Sequence, residues 1–483
     1  MTISRRKIGR VFCIAYTLFQ SVWAPAFVVT GTAVNQASSP VANVNIDFIN
    51  SSGINIPLVG DSTQANGTFS VNVPSGTYRI TYTALIGSGL AGGEQLNISV
   101  TSDRSVPTMT LPPGYEITLQ TVSSTGSLLN SINADFTNAS AVAVFAPRNT
   151  SNSSGIIQTV IPQTGAPYTM KLKDVGGRGY ADKEFINVAP GANVDYGQII
   201  VGPARAVTGR TVRFSNNAIV TSVDIDMIDA CGLEIRLTGD LSDAAGLFSL
   251  SGVSDGIYQI VVRPPGASGL ARREFKDVRI SAALNLGDIK LGTERTITGT
   301  VVNSGAVPIQ GIDLDFTDEY YNQQIFVNND NTLANGTFSV LASDGTYTID
   351  FRPPSATPYA PKTIFGVVVI GNVNLGTIVL GNYVTLSGTV RDFNNVPVAN
   401  ADLDVIDLTA QKRVFTPNDK TDANGVYAAR LSPGTWKLIY SPPVTRPDLQ
   451  SQTFSSQSVP ANTTLNVTLP PAATAAADWQ LYE

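Results

Sequence analysis

At 483 residues the chain is longer than one hydrophobic core organises, since single domains usually hold roughly 50–200 residues. Its formal net charge is −6 with only 14% charged residues, and its pI is near 4.9, so it offers no basic surface to neutralise phosphates. Nucleic acid is therefore not an expected partner. Hydrophobic residues reach 43%, more than a disordered chain carries, so several folded domains are expected.

The chain opens with MTISRRKIGRVFCIAYTLFQSVWAPAF. Arg5, Arg6, Lys7 and Arg10 precede an apolar run from Val11 to Trp23, which is shorter than the roughly 20 residues a bilayer requires. The run ends on the small-x-small pattern Ala24-Pro25-Ala26, so residues 1–26 read as a secretory signal peptide cut after Ala26. Phe12 stands where a lipoprotein site needs a small residue, so Cys13 leaves with the signal. Cys231 then has no partner for a disulfide, and the domains must rest on their hydrophobic cores. No later stretch is long and apolar enough for a membrane span.

Aligned with itself, the remainder repeats. An aromatic residue returns as Tyr78, Tyr168, Tyr258, Tyr347 and Trp436, a glycine as Gly67, Gly155, Gly246, Gly336 and Gly425, and an aspartate as Asp47, Asp135, Asp226, Asp315 and Asp404. The fullest echo is the cassette SDGIYQIVVRPP at 254–265, which returns as SDGTYTIDFRPP at 343–354, a shift of 343 − 254 = 89. Solenoid and propeller repeats have periods of about 20–50 residues, whereas one near 89 fits a whole small domain. The expected boundaries are 27–112, 113–203 (the divergent copy), 204–292, 293–381 and 382–471, with a tail at 472–483. The joints LPPGYE, VGPARA, LGTERT and LGNYVT are too short to act as flexible linkers.

Within a repeat the pattern alternates. Ile312, Leu314 and Phe316 share one face and Asp313 and Asp315 the other; Tyr347, Ile349 and Phe351 face one way and Asp350 and Arg352 the other. About seven such runs per repeat, broken by Asn-Gly, Asp-Gly and Pro-Gly turn signals, predict five tandem antiparallel seven-stranded β-sandwiches. An odd number of alternating strands puts the two ends of each unit at opposite poles, and five such units make an extended rod. The Pro pair of RPP ends the cassette strand. The Asn-Gly turns are expected to be type I′ hairpins with positive φ at both central residues. Asn66-Gly-Thr and Asn335-Gly-Thr in those turns are also glycosylation sequons.

Stretches such as LSGTVRDFNNVPVANADLDV and TDANGVYAARLSPGTWKLIY resemble the carboxypeptidase regulatory-like domains, transthyretin-like sandwiches of secreted bacterial proteins. The resemblance covers every repeat, best the fifth and least the second. It implies a prealbumin-like, Ig-like sandwich serving as an accessory, scaffolding or display module, and it brings no catalytic motif. A related surface sandwich closes a Lys–Asn isopeptide bond in its core, which the first repeat cannot do because it has no lysine.

The chain has no histidine, which removes Ser-His-Asp and Cys-His catalysis and imidazole-bound metal. No catalytic residue, cofactor site or metal site is assigned. The pairs Asp224/Asp226, Asp313/Asp315 and Asp402/Asp404 place two carboxylates on one strand face. With Asp318, Glu319 or Asp407 they offer oxygen ligands for calcium. The favoured alternative is cross-strand pairing, since Arg263, Arg352 and Lys173 follow Asp226, Asp315 and Asp135 by 37 or 38 residues. Tyr320-Tyr321 and Tyr359 are the aromatic clusters a glycan platform would use. The expected function is a secreted, non-enzymatic structural or adhesive rod at the cell surface or in the extracellular matrix. Its partners would be a surface glycan, a protein or further copies of itself. A carbohydrate-binding array is the alternative, and a glycoside-type hydrolase with a carboxylate pair ranks below both.

Overall fold

The computed structural model describes residues 25–472. The signal-peptide reading, Cys13 included, falls almost wholly outside the described residues, as does the tail after Ala472. The described residues form strands joined by turns, with a single 3-10 turn at Gly266–Ser268.

The strands follow the period-two runs. In Asp313–Asp318 the side chains of Leu314 and Phe316 are wholly buried, and in Gly345–Arg352 so are Tyr347, Ile349 and Phe351. That second strand is the cassette, and Pro353-Pro354 ends it as expected because proline has no N–H for the ladder. Gly345 is fixed by what packs on it: a Cβ there would lie 2.8 Å from the Tyr347 hydroxyl oxygen, which donates to the Ser343 carbonyl at 2.7 Å. Tyr258 donates to the Ser254 carbonyl in the same way, also at 2.7 Å.

The strands pair into two kinds of sheet. Around residues 114–200, Ile156–Pro162, Gly114–Val122 and Val194–Ile200 make a three-stranded sheet. Ala143–Val144, Ile132–Thr137, Tyr168–Asp174 and Lys183–Val188 make a four-stranded one. Apolar side chains of both, including Ile117, Ile157, Ile199, Ile132, Phe136 and Met170, meet in the core between them.

The sandwiches are antiparallel as expected, except at one pairing in each repeat. The last strand of each repeat lies beside the first and runs parallel to it, with Val29 opposite Arg104, Ile117 opposite Val194, Val207 opposite Leu284, Ile297 opposite Val373 and Leu386 opposite Thr463. Strands that alternate in direction bring the seventh round in the same sense as the first, and the first has a free edge for it. The chain therefore enters each strand set at one pole and leaves at the other.

The turn assignment is corrected. Gly67, Gly336 and Gly425 have φ of 77°, 75° and 72°, whereas Asn66, Asn335 and Asn424 do not have positive φ. Gly67 N–H donates to the Gln64 carbonyl at 2.8 Å, so the Asn is inside an ordinary i to i+3 turn and the glycine is its fourth residue. The recurrence of this glycine has a second cause. Its carbonyl accepts from the first strand, as in Val301 N–H to Gly336 at 2.8 Å, and a Cβ on Gly336 would lie 2.5 Å from the Val301 carbonyl oxygen.

Buried apolar side chains form three clusters. One spans Ile117 to Leu380, through the second, third and fourth repeats without a break, and the first and fifth repeats each have their own.

Candidate functional site

The second, third and fourth repeats meet where a short hairpin of one lies on the edge strand of the one before it. Phe185 bridges to Ile235, with Arg236 N–H donating to the Glu184 carbonyl at 2.7 Å and Ile186 N–H to the Glu234 carbonyl at 2.9 Å. Ninety residues on, Phe275 pairs with Ile325, and Phe326 N–H donates to the Glu274 carbonyl at 3.2 Å. That contact joins two sheets into one of seven strands, from Asp224–Asp229 through to Lys362–Val369.

Each of these joints encloses an ion pair. Lys183 Nζ lies 2.7 Å from Asp229 Oδ2, with both side chains at most 3% exposed, and it also donates to the Ile200 carbonyl at 2.7 Å. The Tyr258 ring lies 4.8 Å from the ammonium. Burial is the largest influence on Lys183 and opposes its charge, but Asp229 and Tyr258 outweigh it and hold the ammonium above its ordinary value. In the next joint Arg273 pairs with Asp318, again almost fully buried, and donates to the Lys290 carbonyl at 2.6 Å. Its guanidinium lies 5.1 Å from the Tyr321 ring and 5.8 Å from the Phe275 ring.

A second pair stands beside each chain connection, within the later repeat of the two. Asp255 accepts from Arg205 at 2.6 Å and Asp344 from Arg295 at 2.7 Å. These are the aspartates of the SDG cassettes. A Cβ on Gly202 or Gly292 would fall 2.7 or 2.5 Å from the Cβ of Asp255 or Asp344, so the joint glycines let the aspartate approach the connection.

The outer joints are built differently. Between the fourth and fifth repeats, Phe415 N–H donates to Thr363 Oγ1 at 3.1 Å, Lys412 pairs with Glu319 at 2.8 Å and the Arg352 guanidinium stacks 3.9 Å from the Phe415 ring. Glu319, Arg352, Lys412 and Phe415 line a cavity of about 650 Å³ together with Asp350, whose carboxyl is pushed up chiefly by burial. Between the first and second, Arg148 donates to the Ala84 carbonyl at 3.2 Å and Phe145 packs on Gly92.

The recurrent aspartates are held by cations, as the pairing reading expected. Asp135 accepts from Lys173 at 2.8 Å, Asp226 from Arg263 at 2.5 Å, and Asp315 pairs with Arg352. The contacts are diagonal: Asp224 is the residue directly opposite Arg263, and Asp313 the one opposite Arg352. Where the cation is missing another partner replaces it, Asn55 for Asp47 and Arg413 for Asp404. In the fourth repeat that face is not open either, because Asp315 is 7% exposed beneath the hairpin that carries Gln324 and beside Lys276 of the preceding repeat. The nearby acids named for calcium are also engaged: Asp318 by Arg273, Glu319 by Lys412, and Asp407 by the backbone N–H groups of Thr409 and Ala410 at 2.8 and 2.7 Å. Among the described residues no three acidic, His or Cys side chains gather around a metal-sized site.

Of the aromatic clusters, Tyr321 belongs to a joint. Its ring packs edge-on to Phe275 at 5.1 Å, and its hydroxyl donates to the Asp288 carbonyl at 2.7 Å. Tyr320 is exposed, with Lys290 Nζ 4.4 Å from its ring. Tyr359 is half-buried against the central apolar cluster.

No known family and no curated protein matches the chain. Among solved structures, the Bacillus anthracis TIE protein aligns over 92% of this chain and 74% of its own at 11% identity and a TM-score of 0.17. A streptococcal ancillary pilin aligns over 56% and 100% at 10% identity and 0.18, and BcpA, the major pilin subunit of Bacillus cereus, over 56% and 100% at 14% and 0.16. Likenesses this distant do not carry a function across, so function is read from the chain's own residues.

Proposed function

We propose that the chain is a secreted, non-enzymatic structural protein of the cell surface or extracellular matrix. In this reading residues 1–26 are removed, and five sandwiches bounded at 27–112, 113–203, 204–292, 293–381 and 382–471 stand end to end, each resembling a carboxypeptidase regulatory-like domain. The observation that carries the reading is the parallel pairing of first and last strands in every repeat, which passes the chain from pole to pole. The buried pairs Lys183–Asp229 and Arg273–Asp318 add support, because a side chain that must meet its partner across a joint fixes how one repeat sits on the next. Small-angle scattering of the chain from Phe27 onward tests the proposal. With each unit ~35–40 Å long at ~3.3 Å per strand residue plus loops, the longest dimension is on the order of 150–200 Å, and a compact particle would overturn it.

A further inference from the structure

The internal joints leave an unmatched half at each end of the described chain. Strand register puts Phe454 of the fifth repeat where Phe185 and Phe275 stand, since each lies opposite the same position of its neighbouring strand, Leu438, Met170 and Ile260. The hairpins align likewise. Ile56 lies opposite Phe48 as Val144 lies opposite Phe136 and Ile325 opposite Phe316. Strand Gln452–Val459 pairs only with Gly434–Ser441, and strand Asn55–Ile56 only with Asn45–Asn50, so among the described residues both are sheet edges. The fifth-repeat edge reads QTFSSQSV, without the Lys, Glu or Pro that usually guards such a strand. Phe275 and Ile325 are 3% and 5% exposed in their joint, whereas Phe454 and Ile56 remain only half-buried.

We infer that these halves are complementary and that a second copy of this chain fills each one: the first-repeat hairpin of one copy lies on the Gln452–Val459 edge of the next. The inference rests on the end-to-end arrangement proposed for the function. Its polar contacts match without a buried charge. Where the internal joints set Lys183 or Arg273 against Asp229 or Asp318, the ends set Gln452 against Asn50, two neutral amides able to exchange hydrogen bonds. Asn50 Oδ1 already accepts from Ser52 and Ile54 N–H at 3.0 and 2.9 Å, which leaves its amide group to donate. Pro57 stands where Arg236 and Phe326 use a backbone N–H, so this joint has one bond fewer than those inside the chain. It is therefore the weaker, reversible joint. Because head and tail surfaces differ, the contact is heterologous and propagates as a line.

Sedimentation velocity of the chain from Phe27 onward, between about 1 and 100 µM, should show a concentration-dependent series of linear oligomers. Phe454→Asp and Ile56→Asp should each reduce it to monomer, and an equimolar mixture of the two should give dimers and nothing longer, because each variant keeps one competent end. Circular dichroism melts check folding, and Gln452→Lys with Asn50→Lys repeats the test on surface positions should either Asp variant misfold. Monomers at every concentration would overturn the inference, as would dimers lost in F454D but kept in I56D, which mean edge-to-edge pairing. Scattering on monomeric F454D separates the readings, since an extended monomer leaves the proposed function standing whatever the association does.

Discussion

Lys183 and Asp229 stand 46 positions apart, on successive repeats, and meet at 2.7 Å with almost no solvent access. Neither has enough partners within its own repeat: the ammonium reaches one carbonyl there, of Ile200, and the carboxylate's own-repeat bond is to Cys231 N–H at 3.1 Å. The second and third repeats thus each carry a charge that is satisfied when the next one docks.

Removing one member of the pair leaves a buried charge without compensation, so Lys183→Met or Asp229→Leu alone should cost about 3–5 kcal/mol. The double variant should recover most of that loss, because an apolar pair of similar volume avoids the desolvation altogether. Urea titration of all four forms of the cycle measures it, and additive losses would mean the pair does not couple.

Among the described residues Asp313 has no cation within bonding distance, and its carboxyl is pushed up first by burial and then by Asp315 and Asp330. A raised carboxyl costs stability when ionised, so the cost is absent below the unfolded value near 3.8, grows as pH rises through the folded value and is complete at neutral pH. Asp313→Asn should therefore stabilise by about 0.5 kcal/mol at pH 7 and do nothing at pH 3. The first two repeats already hold asparagine there, with Asn45 and Asn133 donating to Asp47 and Asp135 at 2.8 and 2.6 Å. Melting curves at the two pH values decide it.

Gly336→Ala should lower stability by more than the about 1–2 kcal/mol of a left-handed residue alone, because the new methyl also meets the Val301 carbonyl oxygen at 2.5 Å. Gly366→Ala is the control. Its φ is 67°, but a Cβ there meets nothing within 4 Å, so it should show the conformational cost only. Equal losses in the two variants would contradict the close approach of Gly336 to the first strand.

Cys231 sits against the same joint as Lys183, where burial first and then Asp229 push its thiol up to about 12. The thiolate is the reactive form, so in the chain from Phe27 onward, which keeps Cys231 and not Cys13, Ellman's reagent should titrate about one thiol per chain in urea and label the native protein far more slowly. Asp229→Leu should speed native labelling by opening the joint.

The repeat period, the strand faces and the Asp–Arg pairing are legible in the sequence because each leaves a trace within one repeat: alternation reports which face a residue takes, and an aspartate and its cation return together. Strand direction leaves no such trace. Asp47 and Val71 alternate with their neighbours alike whether the adjoining strand runs up or down, so the parallel pairing is invisible at that level. The joints are hidden for another reason. DKEF and RREF recur 90 residues apart, as do Asp229 and Asp318 at 89, yet a self-alignment shows equivalent positions and not that one repeat's lysine meets the next repeat's aspartate. A signal for the pair beside the chain connection is present, because both partners lie in one repeat: Arg205 and Arg295 occur in the repeats that have Asp255 and Asp344, while Ser75 and Pro433 occupy the aspartate position where that arginine is missing.

The parallel first and last strands also decide how a repeat answers to being pulled. Tension applied at the two poles draws the first strand one way and the last strand the other, along their shared length. Every hydrogen bond between them, from Ile297–Val373 to Asn303–Leu380 in the fourth repeat, is then loaded together in shear. A hairpin pulled from one end opens its bonds one at a time. A chain built of such repeats resists stretching with whole ladders, so under load the molecule is a tether whose links yield singly and only at high force.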